Sequence, residues 1–526
     1  MDIGRWIERH AAFQPERPAI RFAERVLTYA DLDRRVRAVA RALKHALGVG
    51  RGDRVAWLGY NHPDMLVLLF AAARLGAMLV PLNWRLAPAE HLWILRHAGA
   101  ELLICGPGHE LRGCDLAARL PRLRTVTVAP AEDLPHLDAL AAVEGDDRNP
   151  HVDLSTPLLV VYTSGTTGRP KGAVLTQEAL FWNALNAVHM HDLGADDRVL
   201  TVLPMFHVGG LNIQTTPALY VGAEVVLLER FDATRTLAAI AAARPTLTVL
   251  VPATMQALVD HPLWSSTDLS SLRMIACGSQ VVPRHLLDAF NRRGVPAAQV
   301  YGSTETGPIA VYQRADDALA RPGSTGKPGL HVEMRLVDER GRDVPPGEPG
   351  EVLIRGPNVM YEYWADEAAT REAFLDGWFR TGDVGRLDGH GDLWIVDRKK
   401  DVVISGGENI YPAELEAVLQ SDPRIRDAVV VGRPDPRWGE IPVAVVVRAD
   451  AGLDEAAVLA LFEGRLARFK HPRAVVFMDE LPRNAMGKVL RYRVRDWIAR
   501  GCGPCGPFTD PQPSARRMTG AAGGPE

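Results

Sequence analysis

The stretch Tyr162-Thr163-Ser164-Gly165-Thr166-Thr167-Gly168-Arg169-Pro170-Lys171-Gly172-Ala173 follows directly on the apolar run Leu158–Val161. That run reads as a buried strand, so a turn rich in glycine and hydroxyl groups leaves a rigid edge. Glycine lets backbone N–H groups come close to an anion, Ser164, Thr166 and Thr167 add hydroxyl donors, and Lys171 adds charge. The combination suits phosphate.

A Walker A loop is excluded. Pro170 precedes the lysine and Gly172 follows it, which leaves no Ser or Thr at the position that would ligate magnesium. Gly172–Leu175 read as a second strand, so the loop is expected to close a hairpin rather than to open a helix. A metal would need another ligand. Taken alone, a loop of this composition is also compatible with a plain turn.

At 526 residues the chain is expected to hold about two to four structural units. Sixty Lys and Arg stand against 64 Asp and Glu, a net charge of −4 without a basic block, which argues against nucleic acid as a partner. Met1-Asp2-Ile3-Gly4-Arg5-Trp6 lacks the basic start and apolar core of a signal peptide. The apolar stretch Met65–Pro81 contains Arg74 and reads as a core helix running into a strand, so a soluble, cytoplasmic protein with no integral membrane segment is expected. Cys502 and Cys505 form a C-G-P-C pattern within a tail, 501–526, dense in Gly, Pro, Ser and Ala. Disorder is the expected reading there, with redox or metal chemistry as the alternative.

Helical and strand patterns alternate before the tail. Helices are expected over Asp31–Leu47, Leu66–Leu75 and Ala233–Ala243, and strands over Arg54–Leu58, Glu224–Leu228 and Leu247–Val251. This is the rhythm of an α/β domain with largely parallel sheets flanked by helices. The character changes near Asp397, beyond the turn-rich Asp388-Gly389-His390-Gly391-Asp392. Helices at Pro412–Gln420 and Glu455–Leu466 then alternate with strands at Ala428–Gly432, Val443–Val447 and Ala474–Phe477. The expected organisation is a large domain over 1–396, a hinge over 397–400, a small mobile α+β domain over 401–500 and the tail.

The phosphate-loop stretch has four companions in order: Tyr301-Gly302-Ser303-Thr304-Glu305, Trp378-Phe379-Arg380-Thr381-Gly382-Asp383, Asp397-Arg398-Lys399-Lys400-Asp401 and Pro482-Arg483-Asn484-Ala485-Met486-Gly487-Lys488. Together with Leu27-Thr28-Tyr29 near the start, they resemble the adenylate-forming (ANL) superfamily, which includes acyl-CoA synthetases, luciferases and peptide-synthetase adenylation domains. The resemblance implies a ligase that uses ATP, Mg2+ and coenzyme A. A carboxylate attacks the α-phosphate of ATP, pyrophosphate leaves, and the acyl group passes from AMP to a thiol.

The same resemblance distributes the site. Thr163, Ser164, Gly165, Thr166, Thr167, Gly168 and Lys171 would hold phosphates, and Glu305 with the Thr163 hydroxyl would hold magnesium. Tyr301, Gly302, Ser303 and Thr304 would border adenine and the α-phosphate. Gly278, Ser279 and Gln280 would run along the adenine edge, although Gln280 and Val281 depart from the family's small residue and proline. Asp383 and Arg398 would take the ribose. Lys488 would act as the catalytic cation, and Lys400 as the hinge residue and a nucleotide contact. Gly406 and Gly407, in Ser405-Gly406-Gly407-Glu408, would leave room for pantetheine, while Phe469, His471 and Arg473 would meet the CoA nucleotide.

His207, in Pro204-Met205-Phe206-His207, stands where amino-acid-adenylating relatives carry an aspartate against the substrate ammonium. An α-amino acid is therefore disfavoured. His207 is expected either to border the carboxylate or to be a core histidine. Gly302, Gly307 and the segment Val208-Gly209-Gly210-Leu211-Asn212 suggest a wall with little bulk, and an aliphatic fatty acid is the expected substrate, with an aryl or cyclic acid as the alternative. An enzyme loading a carrier protein and a non-catalytic nucleotide-binding module are the other readings. Expected partners are the acid, ATP and CoA, with a homodimer left open.

Overall fold

Segments of four or five residues in which Val, Leu and Ile predominate, with Ala, Trp, Cys or Thr among them, supply strands buried on both faces, as parallel sheets require. The computed structural model describes residues 2–131, 134–163, 170–280, 282–405, 408–436, 438–483 and 487–499. The chain divides into two compact units, Met1–Lys399 and Lys400–Glu526. The expected tail and its C-G-P-C pattern lie outside the described residues.

Two of the first unit's sheets have parallel centres. Among the described residues one has seven strands, in the order Glu362–Tyr363, Lys171–Thr176, Pro157–Thr163, Met78–Leu82, Arg54–Leu58, Leu102–Cys105 and Arg124–Thr127. The other has nine, with Ala297–Tyr301, Met274–Gly278, Leu247–Leu250, Arg198–Thr201, Glu224–Leu227 and Pro18–Phe22 parallel to one another and antiparallel strands at both edges. The helix Pro63–Leu75 is buried along its whole length and shares one continuous apolar core with residues of both sheets. His62 Nδ1 accepts from Asp64 N–H at its start, and Gly76, with φ +76°, ends it in the left-handed region. The apolar stretch containing Arg74 is thus a core helix, and among the described residues no helix is long and apolar enough to cross a membrane.

A third sheet is antiparallel and was not expected from the sequence. It joins Glu333–Val337, Gly350–Arg355, Trp378–Leu387, Phe374–Leu375 and Leu393–Arg398. The turn-rich Asp388–Asp392 is its hairpin connection, with Asp388 N–H bonded to the Asp392 carbonyl at 3.0 Å. Asp397 and Arg398, assigned above to a hinge, are the end of a paired strand in the first unit.

In the second unit Ile425–Asp435 and Gly439–Arg448 form a long hairpin, with Ala474–Met478 parallel to the latter. Alternate residues face opposite sides. Val430, Ala444 and Val446 pack with the helices Pro412–Gln420 and Glu455–Ala460, whereas Val429, Val431, Val443 and Val445 pack with Arg491–Ala499. The helix expected over Glu455–Leu466 stops at Ala460, and the following turns reach Gly464 at φ +70°.

His191, at the end of the helix Gln177–His191, is 1% exposed, and its Nδ1–H donates to the Ala187 carbonyl at 2.8 Å. Burial pushes its pKa down from 6.5 to about 4. Between those values the unfolded chain binds a proton that the folded chain refuses, so stability falls as pH drops from 6.5 to 4, by about 3 kcal/mol from this group. His191→Leu is expected to flatten that part of the Tm profile. An unchanged slope would assign the acid sensitivity to other groups.

Candidate active site

Asp383 and Arg398 lie opposite each other across two strands of the antiparallel sheet. The Asp383 carboxylate is 7% exposed; Arg398 Nε pairs with its Oδ1 at 2.8 Å, and the Tyr301 hydroxyl donates to its Oδ2 at 2.8 Å. Burial first, then the Asp383 charge, holds the Tyr301 phenol protonated far above its ordinary range. A carboxylate has about four acceptor positions, so roughly one remains on each oxygen for paired hydroxyl donors.

Glu305 sits in the short turn Thr304–Thr306, 9% exposed. The Tyr363 hydroxyl donates to its Oε1 at 2.8 Å, and the Lys171 ammonium stands 5.1 Å from the Tyr363 ring centroid. Burial and the Glu305 charge push the Tyr363 phenol well up. The strands Pro157–Thr163 and Lys171–Thr176 are antiparallel, with Thr163 opposite Lys171 and the Thr163 hydroxyl donating to the Lys171 carbonyl at 3.4 Å. The expected hairpin is therefore present on both sides of the loop, while Ser164, Gly165, Thr166, Thr167 and Gly168 lie outside the described residues. The structure brings Thr163, Lys171 and Glu305 together through Tyr363, which the sequence did not single out.

Four buried asparagines fix the segment after Glu305. Asn183 Oδ1 accepts from Ile309 N–H at 3.0 Å, Asn212 Nδ2 donates to the Gly307 carbonyl at 3.1 Å, and Asn358 Nδ2 donates to the Thr306 carbonyl at 2.6 Å. Asn186 Nδ2 reaches the Ile309 carbonyl at 3.2 Å. Polar residues inside otherwise apolar helical stretches were the available signal for Asn183, Asn186 and Asn212. Gly302 is required by packing: a Cβ there would stand 1.9 Å from the Pro308 carbonyl oxygen. Gly307 has φ +99°. A Cβ on Gly278 would meet the Val300 carbonyl oxygen at 2.3 Å. Ser279 and Gln280 are exposed beyond that strand, Ser279 with φ +74°. Thr304 is buried, and the buried Ser303 hydroxyl has no partner among the described residues.

His207 caps the short helix Val208–Asn212, its Nδ1 accepting from Gly209 N–H at 3.0 Å. In the neutral ring that bond places the proton on Nε2.

In the second unit, the Lys400 carbonyl accepts from Arg495 at 3.2 Å, and Asp401 is ion-paired with Arg495. Immediately before, in the first unit, Lys399 binds Glu351 at 2.9 Å. Phe469 is 44% exposed, His471 Nε2 lies 2.9 Å from the Leu466 carbonyl, and the Arg473 guanidinium stands 5.6 Å from the Trp438 ring. Gly406 and Gly407 lie outside the described residues. Lys488 is half-buried and follows Gly487, whose φ is +77° and whose carbonyl accepts from Arg483.

Among the described residues no group of three His, Cys, Asp or Glu is placed to hold a metal. One carboxylate with an oxygen beyond its Tyr363 bond, plus one hydroxyl, fits Mg2+ carried largely by substrate phosphates rather than caged by protein.

The AMP-binding enzyme family model matches residues 7–364, and the model of the AMP-binding enzyme C-terminal domain matches 414–488. The chain is 52% identical to indoleacetate–CoA ligase of Aromatoleum aromaticum, over 95% of this chain and 99% of that one. It is 44% identical to feruloyl-CoA synthase of an Amycolatopsis species, over 94% and 98%. Among solved structures, o-succinylbenzoate CoA synthetase of Bacillus subtilis with its acyl-adenylate superposes with a TM-score of 0.85 at 32% identity, over 94% and 99%. The chain belongs to the AMP-binding enzyme family. It is an AMP-forming acid–thiol ligase, and ATP, Mg2+ and CoA are the small molecules it uses. The expected fatty acid finds no support in these three relatives, each named for an acid that carries a ring.

Proposed function

We propose that the protein activates an aromatic carboxylic acid as its acyl-adenylate and passes the acyl group to CoA. The observation carrying this reading is the 52% identity, across nearly the whole chain, with a ligase named for indoleacetate.

The residues divide the work. Asp383, oriented by Tyr301 and Arg398, accepts the two ribose hydroxyls and sets the nucleoside. Lys171 places charge beside the triphosphate. His207 Nε2–H donates to the acid's carboxylate, holding one oxygen while the other attacks the α-phosphorus. The bond from that phosphorus to the bridging oxygen breaks, and pyrophosphate leaves. Bound through Glu305 and Thr163, Mg2+ would neutralise phosphate charge. Lys488 supplies a further cation to the developing charge. In the second half-reaction the CoA sulfur, having lost its proton, attacks the acyl carbon and AMP leaves. Rotation at Lys400 between the halves is supported by the bonds on either side of it: Lys399 to Glu351 in one unit, Asp401 to Arg495 in the other.

The test is a panel of indole-3-acetate, ferulate, phenylacetate and straight-chain fatty acids, assayed with ATP with and without CoA. AMP release that requires CoA and favours the ring acids by tenfold or more in kcat/KM is expected. Preference for fatty acids would overturn the aromatic assignment, and AMP release without CoA would overturn the thioester.

A further inference from the structure

The side chain of Gln214 is buried, 1% exposed, and neither its oxygen nor its nitrogen has a partner among the described residues. It stands at the start of the helix Thr215–Val221 without capping it. An amide left so is costly unless something completes its hydrogen bonds.

Gln214 borders a small cavity, about 10 Å3, with Leu200, Val202, Leu203 and Val249 as its apolar walls. The two hydroxyls there are already engaged: Thr201 and Thr215 bond each other at 2.7 Å, and Thr215 donates to the Gly210 carbonyl at 2.7 Å. Gln214 is thus the polar side chain facing this space with its capacity unspent. The cavity lies at the C-terminal ends of the parallel strands Arg198–Thr201 and Leu247–Leu250, walled by Leu200, Thr201 and Val249 of the strands themselves and by Val202 and Leu203 just beyond the first, at the end of a parallel α/β sheet where ligands collect. Gly210, another wall residue, belongs to the short helix that His207 caps, so His207 and Gln214 flank one element. The volume is that of a single water-sized group.

We infer that Gln214 is a specificity residue: its amide receives a hydrogen-bonding group on the ring of the acid, an N–H or O–H, whose carboxylate lies at His207. The inference rests on the aromatic-acid reading above. An amide both donates and accepts, so an indole N–H and a phenol O–H are each served.

The experiment uses matched acids in pyrophosphate exchange with the full-length enzyme: indole-3-acetate against 1-benzothiophene-3-acetate, and 4-hydroxycinnamate against 4-methylcinnamate. The wild type is expected to favour the hydrogen-bonding member of at least one pair about tenfold or more in kcat/KM. Gln214→Met, close in shape, is expected to collapse that ratio toward one, chiefly through KM. If Gln214→Met does not fold, Gln214→Asn carries the same readout, a reduced ratio supporting the inference and an unchanged one overturning it. An equal loss for both acids with a lower Tm would show an amide that binds trapped water as scaffold, and would overturn the inference. Equal use of both members by the wild type would overturn it while leaving the aromatic reading intact. Turnover of fatty acids with none of the four ring acids would remove both.

Discussion

Lys488→Ala is expected to lower acid-dependent pyrophosphate exchange by about 100- to 1,000-fold, the cost of one lost donor to transition-state charge. Supplied acyl-AMP and CoA should still give thioester, because that step has no triphosphate charge to stabilise. Two bonds that do not involve the lysine side chain hold the described residues on either side of it: Leu490 N–H donates to the Pro482 carbonyl at 2.8 Å, and Arg483 holds the Gly487 carbonyl. An unchanged Tm of the variant is the expected check that the second unit stays folded. Equal loss of both half-reactions in a folded variant would remove the support for a two-position mechanism.

Glu305→Gln has the next largest expected effect. The amide oxygen still accepts from Tyr363, so the local packing survives while one negative charge disappears. Adenylation should fall by roughly 2–4 kcal/mol, and the Mg2+ concentration for half-maximal rate should rise, with excess Mg2+ restoring part of the loss. Unaltered Mg2+ dependence would exclude Glu305 as a ligand.

Elements dominated by local pattern were legible in the sequence. The strand Arg54–Leu58 and the helices Ala233–Ala243 and Pro412–Gln420 have the expected bounds, since apolar period and flanking turn residues agree there. The hairpin at Lys171 was also readable, because Gly172–Leu175 continue as an apolar run rather than at helical spacing. The third sheet was not: Asp383 and Arg398 are fifteen positions apart, and only strand pairing across the Asp388–Asp392 turn makes them neighbours. Tyr363 lies 58 positions from Glu305, in a two-residue edge strand too short to carry a period. Gln214 escaped for another reason. One polar residue at a helix start looks like a cap, and burial without capping becomes visible once the surrounding side chains are placed.

The hairpin at Lys171 has an electrostatic consequence. A phosphate loop that runs into a helix borrows the summed peptide dipoles of that helix, a fixed positive pole that no single substitution removes. Here the chain leaves the loop in an extended strand, whose peptide dipoles alternate and nearly cancel. A triphosphate held at this loop would depend on hydroxyls, backbone N–H groups and the ammonium of Lys171 poised over Tyr363. Its grip would then reside in a few discrete charges, which a single neutralising modification of Lys171 could weaken without disturbing the sheet beneath.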